Sequence, residues 1–312
     1  MKILVTGANG YIGMRLVPQL LSMGHKVVCA VRDANRFSID KETKSRLEIL
    51  EIDFLETVER GKLPKDLQIA YFLIHSMTNS TKEFTEMEAI TARHFNEYVV
   101  ETKIEQVIYL SGIVNDDQLS KHLWSRKNVE QILSEGTYEL TVLRAGIIVG
   151  SGSSSFEIIR DLCEKLPVMI TPKWVLTRSQ PIAIRDVIRF LTGVIGHKKT
   201  YGKAFDIAGP DILTYKEMLQ RYANARGFKN WIITVPVMTP KLSSYWLYFV
   251  TSTSFKLALN LVDSMKIEVI AKDNRLEQLL GIKTHSYEEA IDMAFKKIEQ
   301  NLVVSSWKDS MI

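Results

Sequence analysis

Three glycines near the start of the chain have the spacing of a phosphate-binding turn. The stretch TGANGYIG at residues 6–13 follows a short apolar run and opens a helical pattern. In such a strand–turn–helix, Gly7 permits the tight turn, Gly10 lets the backbone approach a pyrophosphate, and Gly13 lets the helix pack on the sheet. Free N–H groups at the helix start favour phosphate. The stretch therefore predicts a dinucleotide site with these loop contacts: Thr6, Gly7, Asn9, Gly10, Tyr11, Ile12 and Gly13.

The end of the second apolar run bears on which dinucleotide is bound. That run, at residues 26–32, ends in Arg32 and is followed by Asp33. An acidic residue at this place usually binds the adenosine ribose hydroxyls, whereas an arginine accommodates a 2′-phosphate. Arg32 therefore favours NADP, while Asp33 keeps NAD possible. A solvated charge pair is the alternative interpretation of these two residues.

Two later strand ends supply further candidate cofactor contacts. Asp53 follows the third apolar run and could accept a hydrogen bond from the adenine amine with Phe54 alongside, or could instead cap the next helix. Ile74, His75 and Ser76 follow the fourth apolar run, where the chain should cross the cofactor. A lone histidine at a strand tip is, however, more often a structural residue.

The elements that would position these residues are short apolar strands alternating with helices. The predicted strands are 2–6, 26–32, 47–52, 68–74, 106–110, 138–144 and 203–207, with helices at 11–23, 82–102 and 122–134. Nearly continuous apolar strands separated by helices indicate a parallel sheet covered on both faces. We therefore predict an α/β fold with a Rossmann-like doubly wound parallel sheet, in the order 3-2-1-4-5-6 with one extra strand.

The pattern changes after residue 150, where a Gly/Ser stretch and several prolines occur. We predict an NAD(P)-binding domain over 1–207 and a smaller C-terminal substrate-side region over 208–312, with the loop 166–181 contributing to a cap. Four aromatic residues could line an apolar pocket for a small apolar substrate: Trp174, Trp231, Trp246 and Phe249.

Composition excludes several classes of protein. The 312 residues are 46% hydrophobic and 24% charged, as in ordinary globular proteins. The net charge of +4, without a long basic run, gives no reason to expect nucleic acid. The two cysteines, Cys29 and Cys163, have no metal-ligand spacing, so we expect no metal site. The start of the chain lacks the pattern of an export signal, which favours a cytoplasmic location.

One aromatic stretch raises the question of membrane contact. Residues 243–262 include Tyr245, Trp246 and Phe249, but Lys256 and several Ser/Thr residues interrupt the run. A spanning helix needs about 20 predominantly apolar residues, so the stretch argues against an integral membrane protein. A role at the membrane surface is a minor alternative to a packed helical pair or a pocket wall.

These motifs resemble those of the short-chain dehydrogenase/reductase superfamily. The resemblance rests on TGANGYIG, Asp53, YLSG at 109–112 and LRAGIIVG at 143–150. Longer stretches at 71–77, 145–162, 166–184 and 205–215 resemble its atypical, NmrA-like members, in particular the bacterial YbjT-like branch. The resemblance covers essentially the whole chain and implies an NAD(P)-binding Rossmann fold.

The same resemblance implies a catalytic Ser, Tyr and Lys, the last two spaced YxxxK on a helix. Ser111 matches the serine, but His122 falls at the tyrosine place and Arg126 at the lysine place. His122 could donate a proton near neutral pH, and Arg126, which stays protonated, could hold a ribose or phosphate. Two functions stay open: an NADP-dependent oxidoreductase acting on a small carbonyl/hydroxyl or quinone-like substrate, and a catalytically silent redox sensor, like NmrA, with a regulatory protein partner.

Overall fold

A computed structural model describes residues 1–37, 39–75, 81–114, 121–235 and 265–299. The strands in these ranges are β1 (Lys2–Thr6), β2 (Lys26–Val31), β3 (Leu47–Glu51), β4 (Ile69–Phe72), β5 (Gln106–Gly112), β6 (Glu139–Ala145), β7 (Ile148–Val149), β8 (Val168–Thr171), β9 (Arg178–Ser179), β10 (Ile182–Ala183), β11 (Lys203–Ile207), β12 (Leu213–Thr214) and β13 (Trp231–Thr234). The helices are α1 (Gly13–Ser22), α2 (Lys41–Ser45), α3 (Thr81–Val99), α4 (Lys121–Ser134), α5 (Ser154–Lys165), α6 (Ile184–Gly193), α7 (Tyr215–Ala225), α8 (Arg275–Leu280) and α9 (Tyr287–Glu299).

The centre of the fold is a seven-stranded sheet in the order β11-β6-β5-β4-β1-β2-β3. Every neighbouring pair in it is parallel. The order 3-2-1-4-5-6 and the doubly wound α/β class are thus confirmed, and the predicted extra strand is β11, beside β6. The inner strands form because most of their residues are apolar. All four residues of β4, for example, are buried, as a parallel sheet covered on both faces requires.

Several helices and strands begin or end one to three residues away from the predicted positions. The first helix begins at Gly13 rather than at Tyr11, because the Gly10 amide closes a turn on the Gly7 carbonyl at 2.9 Å. The fourth strand ends at Phe72, because the Leu73 amide leaves the ladder and donates to the Thr6 hydroxyl. Ser111 lies inside β5 rather than after it.

Apolar side chains fill both faces of the sheet. One cluster lies under α1 and α6, and another lies between the sheet and the helix pair α3 and α4. A third cluster joins α5, α7 and α9, where the Phe156 ring lies 6.0 Å from Tyr222 and 5.8 Å from Phe295. The domain boundary at 207/208 stays a prediction. The third cluster contains residues from both sides of it, because α5 precedes the boundary and α7 and α9 follow it.

The stretch 166–181, predicted as a loop, contains two short strands. They are β8 and β9, separated by a 3-10 turn at Lys173–Leu176. The prolines flank these elements instead of interrupting them, because Pro167 precedes β8 and Pro172 precedes the turn. β8 pairs with β13, and β9 pairs with β12. The sequence did not indicate these strands, because four and two residues are too few to show an alternating pattern.

Two further observations concern what the described ranges lack. No helix in them has both the length and the apolar composition needed to cross a bilayer. Nor do these ranges contain a group of three or more His, Cys, Asp or Glu side chains arranged to hold a metal ion. Trp246 and Phe249 of the predicted pocket lie outside them.

Candidate functional site

The glycine loop connects β1 to α1, and two of its glycines are required by close backbone neighbours. Gly7 has a φ of 64°, and a Cβ atom there would lie 2.7 Å from the Leu73 carbonyl oxygen. A Cβ on Gly13 would lie 2.6 Å from the Ala8 Cα. A Cβ on Gly10 would meet only the Gly7 carbonyl, at 3.2 Å. Protein packing thus explains Gly7 and Gly13 fully, whereas the side of Gly10 is left open, as the approach of a pyrophosphate requires.

The loop borders a cleft at the carboxyl ends of β1 to β4. Here the strand order reverses, because β1 lies between β2 and β4, and ligands of such sheets bind at this place. The cleft has a volume of about 140 Å³. The predicted cofactor residues that line it are Gly7, Asn9, Gly10, Arg32, Asp53, Phe54, Ile74 and His75. Ser76 lies outside the described residues.

Two loop residues direct their side chains into the fold rather than into the cleft. The Thr6 hydroxyl donates to the Tyr71 carbonyl at 3.1 Å and accepts from the Leu73 amide at 3.3 Å, which joins β1 to β4. The Tyr11 hydroxyl is packed against Gly150, and the Arg15 guanidinium lies 3.9 Å from the Tyr11 ring centre. Burial raises the pKa of Tyr11 to about 12. Only the main chain of these two residues remains for the predicted cofactor contact.

At the end of β2, Arg32 and Asp33 have different surroundings, and the choice of dinucleotide depends on these two residues. Arg32 is exposed and lines the cleft, and its side chain has no ion pair or hydrogen bond within the described ranges. Asp33 instead accepts a hydrogen bond from the Asn35 amide at 2.8 Å, capping the 3-10 turn Ala34–Arg36. The carboxylate is therefore engaged by its own turn, while the guanidinium is free to meet an anion.

The end of β3 supports both interpretations given for Asp53. One carboxylate oxygen of Asp53 accepts from the Leu55 amide at 3.0 Å, which holds the turn after the strand. The other oxygen has no partner in the described part of the chain and lies at the cleft. Phe54 is only 4% exposed and packs edge-on against the Tyr98 ring at 5.3 Å. Phe54 is thus mainly a core residue, one edge of which borders the cleft.

Beside the cleft, His75 belongs to a buried polar cluster formed with α3 and α4. Its Nδ1 lies 2.7 Å from a carboxylate oxygen of Glu88, and the other oxygen accepts from the Ser125 hydroxyl. Burial lowers the pKa of His75, and the Arg126 charge adds to this effect. Burial alone would raise the pKa of Glu88, but the His75 hydrogen bond and the Arg126 charge outweigh it and hold that pKa at about 2. The imidazole is therefore neutral and donates from Nδ1 to an ionised carboxylate.

The predicted catalytic residues lie at the neighbouring end of β5 and on α4. Arg126 is half-buried, and its Nη1 donates to the Tyr109 hydroxyl at 3.3 Å and the Leu110 carbonyl at 3.5 Å. Ser111 is 5% exposed, on the same face of β5 as Tyr109. Both the Ser111 Oγ and the Arg126 Nε are buried without a hydrogen-bond partner among the described residues. His122 lies in the first turn of α4, but its side chain is not among those described.

Three residues of this region were not predicted from the sequence: Tyr109, Glu88 and Ser125. Burial raises the pKa of Tyr109, and the adjacent Arg126 charge partly offsets that increase. Glu88 is 5% exposed although it stands in a helix rich in acidic residues, and Ser125 is fully buried. The only signal in the sequence was the pattern of α3, where Glu88 falls on the same face as the buried Ala92 and Phe95.

The predicted aromatic pocket is not found in the form expected. Trp174 packs against the Tyr215 ring at 5.9 Å, within the third apolar cluster. Trp231 is 72% exposed, so it is not the wall of a closed pocket. The reason is that nothing in the described ranges packs on the outer face of β13.

Residues 7–152 match the model of a family described as NAD(P)H-binding. The matched residues contain the glycine loop, the cleft and the His75 cluster, and they end just after β7. The match supports the interpretation of this part of the chain as a dinucleotide-binding unit. The resemblance to atypical short-chain dehydrogenases/reductases is confirmed, whereas membership of the NmrA-like branch stays a prediction. No curated protein sequence matches the chain.

Three solved structures similar to this chain are named as epimerases. A nucleoside-diphosphate-sugar epimerase from Staphylococcus aureus is 15% identical, with a TM-score of 0.72 over 93% of this chain and 99% of that one. UDP-glucuronic acid 4-epimerase from Bacillus cereus, in complex with UDP-glucuronic acid and NAD, is 18% identical, with a TM-score of 0.71 over 96% and 100%. An epimerase from Methanothermobacter thermautotrophicus is 13% identical, with a TM-score of 0.72 over 96% and 92%. At these identities the likeness shows the fold alone.

Proposed function

We propose that this NAD(P)(H)-binding protein is an NADP-dependent oxidoreductase acting on a small carbonyl/hydroxyl or quinone-like substrate. The observation that carries the proposal is a pair of buried donors without a direct hydrogen-bond partner among the described residues, the Ser111 Oγ on β5 and the Arg126 Nε on α4. A buried donor without a partner costs about 1–3 kcal/mol, so such atoms point to a ligand that accepts from them. Both residues occupy places that the motifs assign to the catalytic set.

The preference for NADP rests on Arg32. Its guanidinium is exposed at the cleft and unengaged within the described ranges, while the neighbouring Asp33 is used as a cap. A guanidinium binds phosphate through charge-assisted, often bidentate hydrogen bonds. NADH lacks the 2′-phosphate and could use only the remaining contacts, among them the free carboxylate oxygen of Asp53.

In this proposal each residue has a separate task. The bound dinucleotide supplies or accepts the hydride. The Ser111 hydroxyl donates a hydrogen bond to the substrate oxygen, and His122 exchanges the proton with that oxygen. Arg126 keeps its positive charge at the site, donating from Nη1 to Tyr109 and from Nε to a ribose hydroxyl. Met87 and Thr91 from α3, with Leu73 and Ile74 from the end of β4, bound the cleft and reduce its access to water.

One observation favours a catalytically silent sensor as the second candidate. Arg126 at the lysine place is half-buried and donates from Nη1 to Tyr109 and to the Leu110 carbonyl, so this nitrogen contributes to the fold rather than to a substrate. A guanidinium also cannot give up a proton. In this second proposal the protein binds the dinucleotide and reports its state to a regulatory protein partner. A cytoplasmic location fits either proposal, since Cys29 and Cys163 are free, buried thiols.

Binding and turnover measured separately test the proposal. NADPH binding is followed by fluorescence, and NADPH consumption is then followed with a panel of aldehydes, ketones, quinones and, because of the structural neighbours, UDP-sugars. We expect binding together with turnover of at least one carbonyl or quinone, and a loss of about 100-fold in turnover for Ser111→Ala with unchanged NADPH affinity. Binding without any turnover would support the sensor instead. Turnover that survives His122→Ala would exclude His122 as the proton donor.

A further inference from the structure

The pair formed by β8 and β13 has one bare apolar face. Val168 and Ile170 of β8 are 52% and 53% exposed, and their register partners on β13, Trp231 and Ile233, are 72% and 51% exposed. Parallel strands are normally covered on both faces. The intervening residue Met169 is fully buried. We refer to Val168, Ile170, Trp231 and Ile233 as the outer face.

The opposite face anchors this pair firmly to the fold. Met169 and the partly buried Ile232 belong to the third apolar cluster, with α5, α7 and α9. The Trp231 amide donates to the Pro167 carbonyl at 2.9 Å, and the Asn230 amide group donates to the Cys163 carbonyl at 2.8 Å. The strand pair is therefore packed against the fold on one face. No helix or strand of the described ranges packs on its outer face.

Two exposed lysines, Lys173 and Lys229, flank the outer face in the sequence, whereas the Arg226 guanidinium lies over the Phe295 ring of the third cluster. The flanking residues of 164–178 and 226–229 include one acidic residue, Glu164, and these basic ones: Lys165, Lys173, Arg178, Arg226 and Lys229. Lys165 and Arg178 are engaged in ion pairs with Asp161 and Glu268. Lys173 and Lys229 are exposed and have no ion pair in the part of the chain that the structure describes. Since the strands are parallel, Lys229 lies at their amino ends and Lys173 beyond their carboxyl ends.

We propose that the outer face binds the surface of an anionic lipid bilayer. A tryptophan beside aliphatic side chains is typical of the membrane interface, where the ring contacts both hydrocarbon and water. Lysines at the rim of an apolar patch add attraction to anionic headgroups.

A second copy of the protein fits the outer face less well. A standard protein interface takes about 20–30 residues from each partner, whereas this face offers four side chains with Leu176 and Phe228 nearby. A basic rim would also repel the same rim on a second copy. A lipid surface needs neither a large contact area nor a matching shape, and its charge complements the rim.

Vesicle sedimentation tests the proposal on the full chain. Phosphatidylcholine vesicles with and without phosphatidylglycerol are compared for the wild type, for Trp231→Ser/Ile233→Ser and for the control Val100→Ser, which removes a 60% exposed residue just after α3. We expect the wild type and the control to bind the anionic vesicles. The affinity of the double variant should be lower by at least about tenfold. NADPH binding by all three proteins shows that the fold is intact.

Three results would overturn the proposal. The first is absence of vesicle binding by the wild type, and the second is equal binding by the wild type and the double variant. The third is that the wild type is a dimer and the double variant a monomer, while neither binds vesicles. If the double variant also loses NADPH binding, Lys173→Gln/Lys229→Gln decides the matter. That variant leaves the apolar face intact, and we expect it to lose the preference for phosphatidylglycerol; an unchanged preference contradicts the proposal.

Discussion

His75 and Glu88 form a partly buried hydrogen bond of 2.7 Å that joins the end of β4 to the middle of α3 at the edge of the cleft. Glu88 is ionised, with a pKa of about 2, and it accepts from both His75 and Ser125. The pair fixes which imidazole nitrogen carries the proton. Glu88 and Glu130 both supply negative charge that stabilises the half-buried Arg126 guanidinium. The cluster is thus a positioning device for the carboxyl end of the sheet.

Glu88→Gln should destabilise the fold. The amide removes the buried carboxylate that accepts from His75 and Ser125 and that helps to compensate the Arg126 charge, which we expect to cost about 3 kcal/mol in the free energy of unfolding. Urea denaturation measures the loss. The matched control is Glu86→Gln, an exposed residue on the same helix, which should change stability by about 0.5 kcal/mol or less. Equal effects of the two variants would show that the cluster does not hold the fold.

The contribution of Glu88 should depend on pH in a defined window. Its folded pKa of about 2 lies below its ordinary value of 4.5, so the unfolded chain takes up a proton first as the pH falls. The stabilisation is therefore complete above about pH 4.5 and is lost as the pH falls toward 2. We expect the stability difference between the wild type and Glu88→Gln to shrink by about 3 kcal/mol across that window. A difference that stays constant from pH 6 to pH 2.5 would contradict an ionised Glu88.

Arg32→Ala should weaken NADPH binding and leave NADH binding nearly unchanged. Loss of a charge-assisted contact with the 2′-phosphate is expected to raise the Kd for NADPH about tenfold or more. Arg36→Ala is the control, because Arg36 is 62% exposed in the next turn and lies 4.0 Å from the Asp33 carboxylate. Fluorescence titration with both nucleotides gives the comparison. Equal weakening of NADPH and NADH would refute the assignment of Arg32 to the 2′-phosphate.

Gly7→Ala should cost far more than a glycine substitution in open space. The new methyl group would lie 2.7 Å from the Leu73 carbonyl oxygen, and φ is 64°. Gly61→Ala is the matched control, since Gly61 has a φ of 76° with no atom within 4 Å. We expect about 1 kcal/mol for the control from backbone strain alone, and at least twice that for Gly7→Ala together with loss of NADPH binding. Calorimetric melting and a binding titration provide the measurements.

Much of the fold could be predicted because its determinants are local in the sequence. The apolar runs specify the parallel sheet, and the glycine spacing specifies the turn. Thr214 and Glu217 form the capping box that their three-residue separation predicts. These features need only the chemistry of a few neighbouring residues, so the sequence displays them directly.

The interior of the site could not be predicted in the same way. The partners His75, Glu88 and Ser125 come from three elements that are far apart in the chain, and nothing in a single sequence shows that they meet. Likewise, the position of Thr6 at the end of a strand suggests a ligand contact, yet its hydroxyl bridges β1 and β4. The direction of a side chain at a strand end depends on the neighbouring strand, which the sequence does not specify.

The central claim is that the amides at the start of α1, together with Arg32, bind a pyridine dinucleotide phosphate. Isothermal titration calorimetry of the wild type with NADPH and with NADH tests it most directly. We expect saturable heat with a stoichiometry of about one nucleotide per chain, and tighter binding of NADPH than of NADH. Absence of heat with both nucleotides, from protein shown to be folded by its cooperative melting, would contradict it.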